Sequence, residues 1–104
     1  GLRVLFQNGK SQPYRLTITY RSKSNRTARV LAGTHLFYHG VQNQTYEQYI
    51  NRGTDFPSTQ GELREIEIGV RHYNPGEYLI RLSNSHNDSP DDFEVAYFNL
   101  YPVK

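Results

Sequence analysis

The sequence predicts an all-β fold, an antiparallel sandwich of two sheets, and three observations carry that prediction. Hydrophobicity alternates with a period of two in several segments, clearest in YRLTITYR (14–21), where Tyr14, Leu16, Ile18 and Tyr20 face one way and Arg15, Thr17, Thr19 and Arg21 the other. Clusters of turn-forming residues break the chain at short intervals: NGKSQP, SKSN, AGT, GTDFPSTQG, YNPG and SNSHNDSPDD. No window of eleven residues shows the 3.6-residue stripe of an amphipathic helix. Nine tyrosines and five phenylalanines among 104 residues add strand-forming side chains that also suit wet binding surfaces.

Eight short strands follow from this punctuation. LRVLFQ (2–7) opens the chain, and the alternating 14–21 segment is a half-buried strand with one wet face. TARVLAG (27–33), THLFYH (34–39) and QTYEQYI (44–50) come next. In ELREIEIGV (62–70), Ile66 and Ile68 alternate with Glu65 and Glu67, which places both carboxylates on one solvent-facing stripe. EYLIRLS (77–83) and FEVAYFNLY (93–101) complete the set. The last is apolar at both parities, as in a central strand covered on both faces, and Pro102, lacking an N–H, should end its ladder. Leu16, Ile18, Ile66, Ile68, Ile80, Leu82, Val95 and Leu100 are the expected core.

The length, with no internal repeat or linker, corresponds to a single domain over 1–104. Without cysteine there are neither disulfides nor thiolate metal sites. Twelve basic and ten acidic side chains are scattered rather than massed, which argues against a nucleic-acid partner. No stretch reads as a signal peptide or approaches the ~18 consecutive apolar residues of a transmembrane helix.

Chemistry-bearing residues are few. On a strand, His35 and His39 would stand about 13 Å apart, too far to share a zinc ion, and His72 and His86 add no ligand spacing. No cofactor is expected. Calcium is the one candidate metal, because Asp88, Asp91, Asp92 and Glu94 cluster with Asn84 and Asn87, although such residues also make an ordinary solvated turn. Tyr38, Tyr46, Tyr49 and Tyr73, interleaved with Asn43, Gln44, Gln48, Asn51 and Arg52, have the composition of a shallow sugar site. There an aromatic face meets the C–H side of a ring while amides and Arg meet its hydroxyls. The competing role of these tyrosines is as core or rim residues of strands. Loops from one end of a sandwich cluster, so Tyr46, Tyr49, Asn51, Arg52 and Tyr73 form the candidate carbohydrate-binding set.

PYRLTITYRSKSN (13–25) resembles the alternating strand of the C-terminal domain of three-domain crystal δ-endotoxins, insecticidal toxins of spore-forming bacilli. Tyr14, Arg15 and Tyr20 match, while Thr17 and Thr19 stand where many members carry arginine. FEVAYFNLYPV (93–103) is similar to that family's closing strand, with Ala96 where aspartate is common. TYEQYINRGTDFPST (45–59) looks like its Tyr-containing segment before a Thr/Pro-rich turn. The resemblance implies a jelly-roll, galactose-binding-like sandwich that lacks the first strands of the full family domain. It also implies a non-enzymatic role: binding a glycan or glycosylated cell-surface receptor beside other toxin domains, in a spore crystal inclusion or after secretion. NPGEYLIRL and DDFEVAYFNLYP also resemble the last two strands of free-standing, calcium-assisted carbohydrate-binding modules. The alternatives are therefore such a module, attached to a secreted glycoside-active enzyme, or a structural assembly domain. A glycosidase has less support than either.

Overall fold

The computed structural model describes residues 2–34, 48–83 and 93–104. They form seven strands: β1 (Leu2–Asn8), β2 (Gln12–Ser22), β3 (Arg26–Thr34), β4 (Gln48–Phe56), β5 (Arg64–Tyr73), β6 (Gly76–Ser83) and β7 (Phe93–Pro102). One sheet has the order β1-β6-β3-β4 and the other β5-β2-β7, with every pairing antiparallel. The fold is thus an all-β sandwich of a four-stranded and a three-stranded sheet; jelly-roll connectivity is a finer statement than these strands define. Apart from the step from β3 to β4, each connection carries the chain from one sheet to the other. The short turns at 9–11, 23–25, 57–63 and 74–75 therefore hold the layers together rather than closing hairpins.

Strict alternation makes β2 the spine of the molecule. Leu16, Ile18 and Tyr20 are fully buried, while Arg15 and Arg21 face solvent. Across the core, β3 contributes Ala28, Val30 and Ala32, and β6 contributes Ile80 and Leu82. Ile50, Phe56 and Ile68 complete the buried cluster, against which Ile66, Val95 and Leu100 pack half-buried. Aromatic groups close both ends. Tyr20, Phe56 and Phe93 meet with ring centroids 5.1–5.8 Å apart, and Phe6, Tyr14, Tyr73 and Tyr78 form the opposite group at 5.1–5.9 Å. The Tyr20 hydroxyl donates to the Pro57 carbonyl at 2.7 Å. Burial pushes its phenol up, against the opposing influence of Arg64.

The structure corrects the sequence reading at three places. First, β7 pairs with β2 alone and is an edge strand among the described residues, not a covered central one. Its register explains why it is apolar at both parities. Tyr20 pairs with Val95 but Thr19 with Tyr97, so Ala96 is an extra, bulged residue. Before the bulge Phe93 and Val95 face the core; after it the inward residues are Phe98 and Leu100. A single change of phase therefore puts apolar residues of both parities on one face. The ladder does end at Pro102, opposite Tyr14.

Second, β4 runs through Gly53–Phe56, where turn residues had predicted a loop from 53. Burial of Phe56 and Thr54 at alternate positions continues the strand pattern through the glycine and the aspartate. The turn begins only at Pro57. Thr59 fixes it to β2, its N–H donating to the Ser22 carbonyl at 2.8 Å and its hydroxyl accepting from the Ser22 N–H at 3.0 Å. Gln60 and Gly61 then take positive φ. Third, β5 extends to Tyr73, leaving only Asn74 and Pro75 to reach β6. Residues 35–39 of the expected fourth strand lie outside the described residues, as do 44–47 of the fifth.

Candidate functional site

Four of the five residues proposed from sequence lie in strands rather than in loops. Tyr46 lies outside the described residues. Tyr49, Asn51 and Arg52 belong to β4, the latter two in register with Leu31 and Val30, rather than to a loop. Tyr73 is 1% exposed, with its ring against Phe6, Tyr14 and Tyr78. The adjacent Asn-Pro-Gly suggests a loop residue, but antiparallel register with Gln12 keeps Tyr73 on the core side of β5. Its face cannot receive a sugar ring in this arrangement. Of the acid-rich segment, 84–92 lies outside the described residues, and Glu94 holds Arg21 with both carboxylate oxygens at 3.1 Å.

The structure instead gathers polar and aromatic groups on the outer face of the three-stranded sheet. Thr17 pairs with Glu67 and Asn99, Thr19 with Glu65 and Tyr97, and Arg15 with Val70 and Tyr101. The alternation of β2 places Arg15, Thr17 and Thr19 outward, and that of β5 places Glu65 and Glu67 beside them. Past the Ala96 bulge, Tyr97, Asn99 and Tyr101 complete the face. Only the contribution of β7 was missed in the sequence. The alternation of Tyr97, Asn99 and Tyr101 with Phe98 and Leu100 is the signal that marks it.

Glu65 is the centre of this face. Its Oε2 accepts hydrogen bonds from the Thr17 hydroxyl at 2.5 Å, the Tyr101 hydroxyl at 2.6 Å and the Asn99 amide at 3.4 Å. Among the described residues none of these bonds ends on Oε1. The Asn99 amide also donates to the Thr19 hydroxyl at 3.3 Å. Arg15 stands 3.7 Å from Glu67 and places its guanidinium carbon 5.4 Å from the centroid of the Tyr101 ring. Arg15, Thr17, Glu65, Glu67 and Tyr101 line an open depression of about 310 Å³. On the same face, opposite Thr19, Tyr97 is 60% exposed.

Hydrogen bonds from Thr17 and Tyr101 stabilise the ionised Glu65 and hold its carboxyl below the usual glutamate value, with Arg15 adding to the effect. The same bond pushes the Tyr101 phenol up, since its proton is held by an anion. Glu65 is therefore a fixed acceptor, whereas a general acid would need a carboxyl shifted the other way. The face can accept hydrogen bonds from hydroxyls, donate from Arg15 and offer aromatic surface.

In comparison with known proteins, no family model matches the chain, and no curated protein or solved structure matches it either.

Proposed function

We propose that this chain is a non-enzymatic carbohydrate-binding sandwich that takes a neutral sugar on the outer face of its three-stranded sheet. The observation that carries the reading is the Glu65 carboxylate, oriented by Thr17, Asn99 and Tyr101 where it lines an open depression together with the exposed Tyr101. Orienting an acceptor before the ligand arrives removes part of the ordering cost of binding. Two carboxylates against one guanidinium disfavour an anionic sugar and suit a ring bearing only hydroxyls. The similarity of 13–25 and 93–103 to the crystal-toxin domain supports a finer proposal, that the sugar belongs to a glycosylated cell-surface receptor. A few hydrogen bonds and one stacked ring give millimolar to micromolar affinity, so tight attachment requires multivalent display.

The test is a screen of the chain on an array of neutral and acidic glycans, followed by calorimetry on the best neutral hit. Binding that disappears in Tyr101→Ala, at an unchanged melting temperature, supports the site. Failure to bind any neutral glycan, or normal binding by Tyr101→Ala, overturns it.

A further inference from the structure

The opposite face of the molecule, the outer surface of the four-stranded sheet, has a different chemistry. In the β1–β6 ladder Arg3 pairs directly with Arg81, and both are exposed. The described register positions around the pair hold no acid: Leu5 follows Arg3 along β1, Leu79 and Ser83 flank Arg81 along β6, and Leu31 faces Arg81 from β3. Arg29, two residues from Leu31 on the same face of β3, extends the basic stripe diagonally. Glu77 lies two positions beyond Leu79 relative to Arg81 and accepts from Gln7 at 3.1 Å, while Asp55 accepts from Thr27 at 3.1 Å.

Like charges directly opposite one another across a ladder repel. An oxyanion between two guanidinium groups turns that repulsion into paired, charge-assisted hydrogen bonds, for which the planar fork of arginine is suited. We infer that Arg3 and Arg81 form a second binding site, specific for the sulfate or carboxylate groups of an acidic polysaccharide. Their strands are neighbours, about 4.8 Å apart, so the two side chains can converge on one oxyanion. A soluble polyanion fits better than a membrane surface. Leu5 is 54% exposed, but Leu79 is only 4% exposed and Leu31 half-buried, so this face offers too little apolar surface to enter a bilayer. The site is on the other side of the sandwich from Glu65 and does not depend on it.

The experiment is retention of the chain on immobilised dextran sulfate at low salt, with unsulfated dextran as the control. Wild-type protein should be retained only by the sulfated polymer and released by added salt. Arg3→Ala and Arg81→Ala should each weaken retention about tenfold, and the double variant should lose it. The Arg3→Lys, Arg81→Lys double variant keeps the charge without the fork and should fall between. Lys23→Ala with Lys104→Ala removes the same charge elsewhere and should leave retention unchanged. Melting of the double alanine variant should stay constant or rise, because a repulsive pair has been removed. Undiminished retention of that variant overturns the site. So does an equal loss in the lysine control, or binding through these arginines to phosphatidylserine vesicles but not to dextran sulfate.

Discussion

The two outer faces of the sandwich show how one architecture carries opposite chemistries. On the three-stranded face every charged group near Glu65 has a partner: Arg15 beside Glu67, Arg21 on Glu94, and hydroxyls and an amide on Glu65 itself. On the four-stranded face two arginines occupy paired positions with leucines around them. The first arrangement is satisfied before any ligand arrives and can select by shape and hydroxyl placement. The second gains most of its favourable energy only when an anion arrives. The difference teaches that outward-facing strand positions, usually read as mere solvent-facing surface, differ in how complete they are.

Both faces hang on one core, so the change with the largest expected effect removes the distinction between them. Inserting one alanine after Phe98 shifts the rest of β7 by one position. Asn99 and Tyr101 would then turn to the core, and Leu100 to solvent. Loss of more than about 4 kcal/mol, with both binding activities lost together, is the expected result in denaturant unfolding. An insertion variant that stays as stable as wild type would show that the strand absorbs the extra residue in a second bulge.

Next in size is Ile18→Ala, in the middle of β2 and fully buried. The cavity should cost about 2–5 kcal/mol. Below the melting transition each face should still bind its own ligand, because Ile18 touches neither. A loss under ~1 kcal/mol would mean that the core closes around the gap.

Ile18 and Ala96 also mark what the sequence could and could not disclose. Ile18 sits in an uninterrupted period-two pattern, where every residue of one parity is apolar, and its burial follows directly. Leu16, Ile68, Ile80 and Leu82 were legible for the same reason. The outward stripe of Glu65 and Glu67 was equally plain. β7 was not, because a bulge leaves no mark in a sequence except a pattern that changes parity, and a covered central strand produces the same apolar run. Tyr73 was obscured differently: turn chemistry identifies Asn74 to Gly76 but does not say on which side of the sheet the preceding residue lies. The Arg3–Arg81 pair joins residues 78 positions apart in the sequence, and only the register of the ladder brings them together.

A smaller change should separate the faces cleanly. Glu65→Gln keeps the shape of the side chain but removes the charge that organises Thr17 and Tyr101. Neutral-sugar affinity should fall about tenfold, the difference between a charged and a neutral acceptor, while retention on dextran sulfate is unaffected. Isothermal titration against the best neutral glycan, run beside the column assay, measures both. If the two activities decline together, the faces are coupled through the core and are not independent sites.

The smallest effect is on pH dependence, and its sign follows from the direction of two shifts. The Glu65 carboxyl titrates below the ordinary glutamate value of 4.5 because Thr17 and Tyr101 bond its ionised form, with Arg15 assisting. A depressed carboxyl contributes stability that is present above the unfolded value and is lost as pH falls through the folded one. The Tyr101 phenol is raised from 10.0 by the bond it donates to Glu65, so its contribution is present below that value and lost as pH rises through the folded one. Neutral-sugar binding should therefore be level from pH 9 down to the ordinary glutamate value and decline only below it, as Glu65 gains its proton. Guanidinium groups and sulfate esters keep their charge across this range, so retention on dextran sulfate should show no such decline. Calorimetry and column retention over the same buffers distinguish the curves. A sugar curve already falling above 4.5 would mean that the bonds from Thr17 and Tyr101 do not hold Glu65 ionised, and that another group governs the three-stranded face.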